Sequence, residues 1–200
     1  MTPRRLVAPA GESFPTAMAA LAYAASVGDR RDGDGAPFIL HPLEVGGLLY
    51  STAAPDHVIA AGFLHDTIAK VGTAASDLET RFGSPVAELV LALTEDQRII
   101  DYVERKAALC EQVALAGCEA LTVFAADKIS KVRELSLVIK RTGPGGICNQ
   151  RLTHYRHCAR LLEQRLPHSP LVRRLRAELD TAICDASGPS IRVDFVSVSS

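Results

Sequence analysis

The chain has 200 residues, of which 48% are hydrophobic and 22% are charged, and its formal net charge at pH 7 is −1. This length suits one domain with a single hydrophobic core. A net charge near zero gives no overall basic field that would attract DNA, RNA or an acidic membrane, so any phosphate binding must come from local groups of basic residues.

Turn signals and capping residues divide the chain into helices, and none of the segments between them alternates as a strand does. In chain order, helices are predicted over 13–27, 41–52, 55–71, 76–82, from Ser84 onward, 101–115, 119–141, 149–166 and 169–185. The helix over 55–71 is apolar on nearly all sides, so we expect it to be central. The sequence therefore predicts an all-α fold.

The ends of the chain differ in pattern from the predicted helices. We expect an N-terminal tail over residues 1–12, one helical domain over 13–186 and a C-terminal tail over 187–200. Apolar residues alternate near the C-terminus, which fits either a short edge strand or a disordered tail.

Five cysteines are scattered along the chain without a Cys-x-x-Cys pair, at Cys110, Cys118, Cys148, Cys158 and Cys184. An odd, dispersed set argues against a disulfide framework or a zinc ribbon and favours buried thiols in a reducing compartment. No apolar run reaches the roughly 20 residues of a membrane span, and the N-terminus lacks a signal peptide's apolar stretch. We expect a cytoplasmic protein that makes no membrane contact.

Four residues stand out as candidate metal ligands. His65 and Asp66 are adjacent within an apolar stretch, where an unpartnered carboxylate would be costly to bury. His41 opens the preceding helix, and Asp127 lies inside a later apolar one. Imidazole nitrogens and carboxylate oxygens suit a divalent cation, and four ligands leave positions for water and substrate. Singly, each residue could be a core histidine or a paired aspartate, but their order and spacing favour a metal.

The motifs around these residues resemble the RelA/SpoT-type guanosine tetraphosphate hydrolases of the HD superfamily, in particular the small stand-alone kind without a synthetase domain. The motifs are GAPFILHP at 35–42, AAGFLHDT at 60–67, RFG at 81–83, LTED at 93–96, ERK at 104–106 and ADKI at 126–129. Together they extend over about residues 14 to 185.

This resemblance implies a single HD-domain helical bundle that holds manganese through His41, His65, Asp66 and Asp127. It also implies a reaction in which a metal-activated water removes pyrophosphate from the 3′ position of the alarmone. The expected partner is a nucleotide or another phosphorylated small molecule, with no DNA or RNA. Homo-oligomerisation is left open.

Candidate substrate contacts are basic. Arg30 and Arg31 match family positions that contact the nucleotide, and a planar guanidinium can bind phosphate and stack on a base; a solvated loop is the alternative. Lys128 and Lys131 cluster with Arg133 and could hold phosphates. Their alternative is a basic, solvated stripe on a helix.

Four positions depart from the family pattern. The acidic pair that serves the attacking water in the family is replaced by Ala69 and Lys70. The methyl group of Ala69 cannot accept a proton. The ammonium of Lys70, if it lies beside the metal ion, repels the ion by a few kcal/mol at an effective dielectric constant of about 20. The catalytic residues are therefore unknown. Lys131 and Phe124 likewise stand where the family has asparagine and lysine.

Three interpretations remain. The chain is an HD phosphohydrolase with altered substrate or chemistry, a catalytically degenerate module that binds a nucleotide and regulates a partner, or a structural helical domain. Retention of all four metal ligands favours the first interpretation. Among other histidines, His154 and His157 have the i, i+3 spacing of a helical metal site, but the arginines around them favour a solvated basic helix face. His57 and His168 fit surface positions.

Overall fold

The computed structural model describes residues 13–27, 37–143 and 145–187. The elements assigned within these segments are all helices, which confirms the all-α prediction. They are α1 (Pro15–Val27), α2 (Leu40–Tyr50), α3 (Asp56–Leu64), a π-helical turn (Thr67–Val71), α4 (Ala75–Phe82), α5 (Ser84–Leu93), α6 (Tyr102–Ala116), α7 (Cys118–Thr142), α8 (Gly146–Arg165) and α9 (Pro170–Ser187).

Helices α3 and α7 occupy the centre of the bundle. Helix α3 packs against α1, α2, α5 and α7, and α7 also packs against α6, α8 and α9. Every residue of α3 from Val58 to Leu64 is buried, because this segment is apolar on all sides. The prediction of a central helix in this region is therefore confirmed.

Helices α2 and α3 approach each other closely where both carry glycine. A Cβ atom added at Gly46 would lie 2.2 Å from Cε1 of Phe63, and one added at Gly62 would lie 2.4 Å from Cδ1 of Leu49. These distances are shorter than any real carbon contact, so a side chain at either position would force Phe63 or Leu49 to move. The two glycines allow the middle of α2 and the end of α3 to pack closely.

The continuous helix predicted over 55–71 is wrong, because α3 ends at Leu64. The Thr67 hydroxyl donates to the Leu64 carbonyl at 2.7 Å, and His65 Nδ1 lies 2.9 Å from the Gly62 carbonyl. Such side-chain bonds compete with the helical backbone pattern. A π-helical turn follows and ends at Gly72, whose φ of 79° suits a residue without a Cβ. His65 and Asp66 thus lie at a break between two helical segments.

Several expected features lie outside the described residues. They are the loop over 29–35 with Arg30 and Arg31, the tail over 1–12, and the alternating segment near the C-terminus. Among the helices that are described, none has the length and apolar character to cross a membrane.

The cysteines differ in exposure. Cys110, Cys148 and Cys158 are buried, whereas Cys118 and Cys184 are exposed. The expectation of buried thiols is thus wrong for Cys118, which is the first residue of α7, and for Cys184 near the end of α9.

Candidate metal centre

Four side chains from three parts of the bundle converge at the break after α3. His41 Nε2 lies 3.1 Å from both His65 Nε2 and Asp127 Oδ1, and His65 Nε2 lies 3.7 Å from Asp127 Oδ1. Asp66 completes the group, with Oδ1 3.6 Å from His65 Nε2 and Oδ2 3.8 Å from His41 Nε2. The structure therefore brings together all four of the residues that the sequence indicated as metal ligands.

The outer nitrogens of the two histidines have defined partners. Ser130 Oγ donates to Glu44 Oε2 at 2.7 Å, so its oxygen accepts from His41 Nδ1 at 2.8 Å. His65 Nδ1 can only donate to the carbonyl of Gly62, which has no proton to give. These contacts place a proton on Nδ1 of each ring, so that each Nε2 has a lone pair to offer when the ring carries no second proton.

Two nitrogen lone pairs that face each other at 3.1 Å repel unless a cation lies between them. This separation is that of neighbouring ligands on one ion with bonds of about 2.1 Å. Asp66 Oδ2 is also buried, and the Lys70 ammonium lies 2.7 Å from it. The donor set therefore fits a divalent cation, and orientation of the imidazoles through Nδ1 is typical of metal sites.

The ionisation of the group also suits a cation. Burial opposes ionisation of Asp127, but the Lys128 ammonium and the hydrogen bond with His41 hold the pKa of its carboxyl well below the usual value. Burial likewise opposes ionisation of Asp66, yet the Lys70 ammonium keeps its pKa low. Burial lowers the pKa of His65, which keeps this ring neutral. Carboxylates and neutral imidazoles are the forms that bind metals.

A chain of charged groups supports His41 from the other side of Ser130. Glu44 Oε1 accepts from Arg133 at 2.6 Å, and Arg133 Nε donates to Glu178 at 2.7 Å. Sequence reasoning missed Glu44 and Ser130, and it grouped Arg133 with phosphate-binding candidates. The only signal was spacing, since Glu44 and Ser130 each lie three residues, or about one helical turn, after a candidate ligand.

The residues at the family's acidic positions lie in the π-helical turn. Ala69 is exposed, and Lys70 Nζ lies 2.7 Å from Asp66 Oδ2 as an ion pair. Burial acts against the charged form of Lys70, but the Asp66 carboxylate raises the pKa of its ammonium above the ordinary value. The lysine therefore points its charge at a candidate ligand.

The two candidate phosphate-binding lysines of α7 have different surroundings. Lys128 is buried, donates to Asp127 Oδ2 at 2.6 Å and lies 4.4 Å from the centre of the Phe124 ring. A solvated stripe is therefore the wrong description of Lys128. Lys131 is a quarter exposed and lies 3.3 Å from Glu134.

A cavity of about 180 Å³ adjoins the candidate ligands. Its lining contains four lysines and three carboxylates, and each lysine is ion-paired with an aspartate or glutamate. Glu95 forms an ion pair with Lys106 and accepts a hydrogen bond from Arg105 at 3.0 Å. The LTED and ERK motifs therefore meet at this cavity. The lining residues are His65, Asp66, Lys70, Leu93, Glu95, Lys106, Leu109, Asp127, Lys128, Lys131, His154 and Tyr155.

The remaining histidines divide between surface and interior. His168 is exposed, and His57 is partly exposed and lies 3.0 Å from Glu119, as expected for surface residues. The solvated position predicted for His154 is wrong, because this residue is 9% exposed. Helix α8 turns the neighbouring arginines outward and His154 toward α6.

Comparisons with known proteins agree with this fold and site. The HD domain family model matches residues 17–138. Human guanosine-3′,5′-bis(diphosphate) 3′-pyrophosphohydrolase MESH1 is 32% identical over 128 residues, which cover 63% of this chain and 69% of that protein. The Danio rerio protein of the same name is 33% identical over 127 residues, covering 62% of this chain and 68% of its own length.

A solved structure described as a metazoan orthologue of SpoT that hydrolyses ppGpp superimposes with a TM-score of 0.70. Its sequence is 25% identical, and the alignment covers 87% of this chain and 97% of that one. The chain belongs to the HD domain family, and its fold is that of a metal-dependent phosphohydrolase. Within that family it resembles the ppGpp hydrolases.

Proposed function

We propose that this protein is a metal-dependent pyrophosphohydrolase of guanosine tetraphosphate or a related phosphorylated nucleotide. His41, His65, Asp66 and Asp127 are the proposed ligands, and manganese is the proposed ion. The observation that carries the proposal is the 3.1 Å distance between His41 Nε2 and His65 Nε2. In both rings Nδ1 donates its proton to another group, which is Ser130 for His41 and the Gly62 carbonyl for His65. We further propose a domain over 13–186 flanked by tails, in a cytoplasmic protein.

A divalent ion bound here would neutralise charge on the phosphorus under attack and lower the pKa of a water molecule. The protein's own residues supply position and charge. Ser130 and Gly62 orient the two imidazoles, and Lys128 holds Asp127 in its ionised form. A buried, oriented set of this kind needs little rearrangement during reaction.

The cavity next to the ligands accounts for substrate binding in this proposal. Lys131 and Lys106 line it with partly exposed ammonium groups that can contact phosphate oxygens. Lys128 acts as a buried charge behind Asp127, so its contribution to phosphate binding is through its field. Arg30 and Arg31 remain proposed nucleotide contacts.

Release of pyrophosphate from guanosine tetraphosphate in the presence of Mn²⁺ tests the proposal. We expect turnover by the wild type, loss of at least about 100-fold in Asp127→Ala, and unchanged turnover in Asp77→Ala. Asp77 is an exposed aspartate in the first turn of α4 and makes a suitable control. Absence of turnover by folded, metal-loaded wild type would reject hydrolysis of this substrate.

One observation favours a second candidate function, a nucleotide-binding module without turnover. No carboxylate stands at positions 69 and 70, and the Lys70 ammonium lies against Asp66 instead. The Ala69→Glu, Lys70→Asp double variant discriminates between the two. Turnover by the variant alone, with saturable nucleotide binding by the wild type, supports the module; comparable turnover by both supports the enzyme.

A further inference from the structure

A second group of metal-binding side chains lies between α6 and α8. Cys110 is on α6, and His154 and Cys158 are one turn apart on α8. Cys110 Sγ lies 3.7 Å from Cys158 Sγ, and Cys158 Sγ lies 3.5 Å from His154 Nε2. One ligand atom from each residue lies within 4.8 Å of the others. The cysteines are 2% and 0% exposed and the histidine 9%.

These distances match the edges of a tetrahedral zinc site. Zinc bonds of about 2.3 Å to sulfur and about 2.0 to 2.1 Å to nitrogen place two sulfurs roughly 3.8 Å apart and a sulfur and a nitrogen roughly 3.5 Å apart. The contacts seen here are 3.7 and 3.5 Å. Cys158 Sγ also lies 3.7 Å from His154 Nδ1, so the sulfur lies beside the ring, and the imidazole must turn to aim its Nε2 lone pair at a shared ion.

The pKa values of the three side chains differ in what they offer a cation. Burial, with Lys128 and Lys106 nearby, lowers the pKa of His154 from 6.5 to about 3, so its ring is neutral and has a lone pair to offer. The hydrogen bond with Cys158 outweighs burial and lowers the pKa of the Cys110 thiol. Burial and the same hydrogen bond raise the pKa of the Cys158 thiol, so a bound cation must displace the proton of Cys158. His154 also lines a cavity of about 310 Å³, which gives an ion a route to the cluster.

We propose that Cys110, His154 and Cys158 form a second metal site that binds a thiophilic divalent cation such as Zn²⁺. Binding replaces two S–H bonds with two metal–thiolate bonds and releases two protons to solvent. Two sulfurs and one nitrogen make this site softer than the His/Asp centre, so the two sites select different metals. A fourth ligand position remains for water. The bound ion cross-links α6 to α8.

Cobalt titration of the reduced protein tests this site separately from the His/Asp centre. Thiolate-ligated Co²⁺ gives a sulfur-to-metal charge-transfer band, and the His/Asp centre has no sulfur to produce one. We expect one such site per wild-type chain, its loss in Cys110→Ser and Cys158→Ser, and its retention in Cys148→Ser. Cys148 is a buried cysteine on the same helix outside the cluster.

A band that survives in both Cys110→Ser and Cys158→Ser would overturn the assignment, and so would no band in folded wild type. If the serine variants do not fold, cadmium NMR of the wild-type chain decides the question without a substitution. A resonance in the range of sulfur-ligated cadmium supports the site. A spectrum with only oxygen- and nitrogen-ligated cadmium overturns it. Neither measurement depends on enzymatic activity.

Discussion

Lys70 Nζ and Asp66 Oδ2 are 2.7 Å apart, at the start of the π-helical turn that follows α3. The same carboxylate oxygen lies 3.8 Å from His41 Nε2, on the side of the candidate metal centre. The chain therefore places an internal cation beside one of its proposed metal ligands, where the resembling hydrolases have an acidic residue. Binding of a metal must displace this ammonium or tolerate its repulsion.

Replacement of Lys70 should therefore strengthen metal binding. We expect Lys70→Met to bind Mn²⁺ about 10-fold more tightly than wild type, since removing a like charge near the ion is worth on the order of 1 kcal/mol or more. Isothermal titration calorimetry measures the change. Lys140→Met is the control, because Lys140 lies near the end of α7 and pairs with Asp185 of α9. Equal affinities for wild type and Lys70→Met would show that Lys70 does not compete.

Removal of the Ser130 hydroxyl should weaken metal binding without unfolding the protein. Ser130 accepts from His41 Nδ1 and donates to Glu44, so Ser130→Ala frees the ring to change tautomer. Loss of the hydrogen-bond partner of a metal-binding histidine lowers metal affinity by about 10- to 100-fold. Ser136→Ala on the same helix, where the hydroxyl faces Asp185, should bind metal as wild type does. An unchanged affinity in Ser130→Ala would refute the orienting role.

The close crossing of α2 and α3 yields a matched pair of glycine substitutions. Gly46→Ala places a methyl group against the Phe63 ring and should destabilise the protein by about 2 kcal/mol or more. Gly47→Ala is in the same helix with nothing within 4 Å of the added atom, and should stabilise it by about 0.5 to 1 kcal/mol. Urea unfolding measures both, and similar values for the two variants would contradict the tight crossing.

Burial of neutral His154 should make metal-free protein less stable in acid. Its pKa of about 3 in the fold lies below the ordinary 6.5, so the unfolded chain binds the extra proton between these values. The contribution of neutral His154 to the free energy of unfolding is complete above pH 6.5 and is lost as the pH falls toward 3. Relative to His154→Gln, wild type should lose about 2 kcal/mol between pH 6.5 and 5. His157→Gln, with an exposed ring, is the control. Parallel pH profiles for wild type and His154→Gln would contradict this.

Local patterns in the sequence were sufficient to predict most of the helices and to select the four candidate ligands. Capping residues and apolar spacing depend on near neighbours, and the bounds of α4 and α5 accordingly start within one residue of the prediction. The ligand set was recognised from the residue types and from the surrounding motifs. The same motifs indicated Glu95 and Lys106 without revealing that they contact each other.

Contacts between distant segments could not be predicted in this way. Ser130 and Glu44 are 86 residues apart in the chain, so their hydrogen bond follows only from the packing of α2 on α7. Burial of His154 and Lys128 depends on which face of each helix turns inward. Because arginines and lysines are close to both residues in the sequence, the pattern indicated solvated faces instead. The end of α3 at Leu64 depends on side-chain bonds that helix propensity does not include.

Binding of Mn²⁺ by the intact chain tests the central claim most directly. Electron paramagnetic resonance of free Mn²⁺ gives the number of ions bound, and a hard ion of this kind avoids the cysteine cluster. We predict one tight site per wild-type chain, lost in Asp127→Ala and retained in the exposed-site control Asp77→Ala. Equal Mn²⁺ binding by Asp127→Ala and wild type, with both folded, would contradict the assignment of His41, His65, Asp66 and Asp127 as one metal centre.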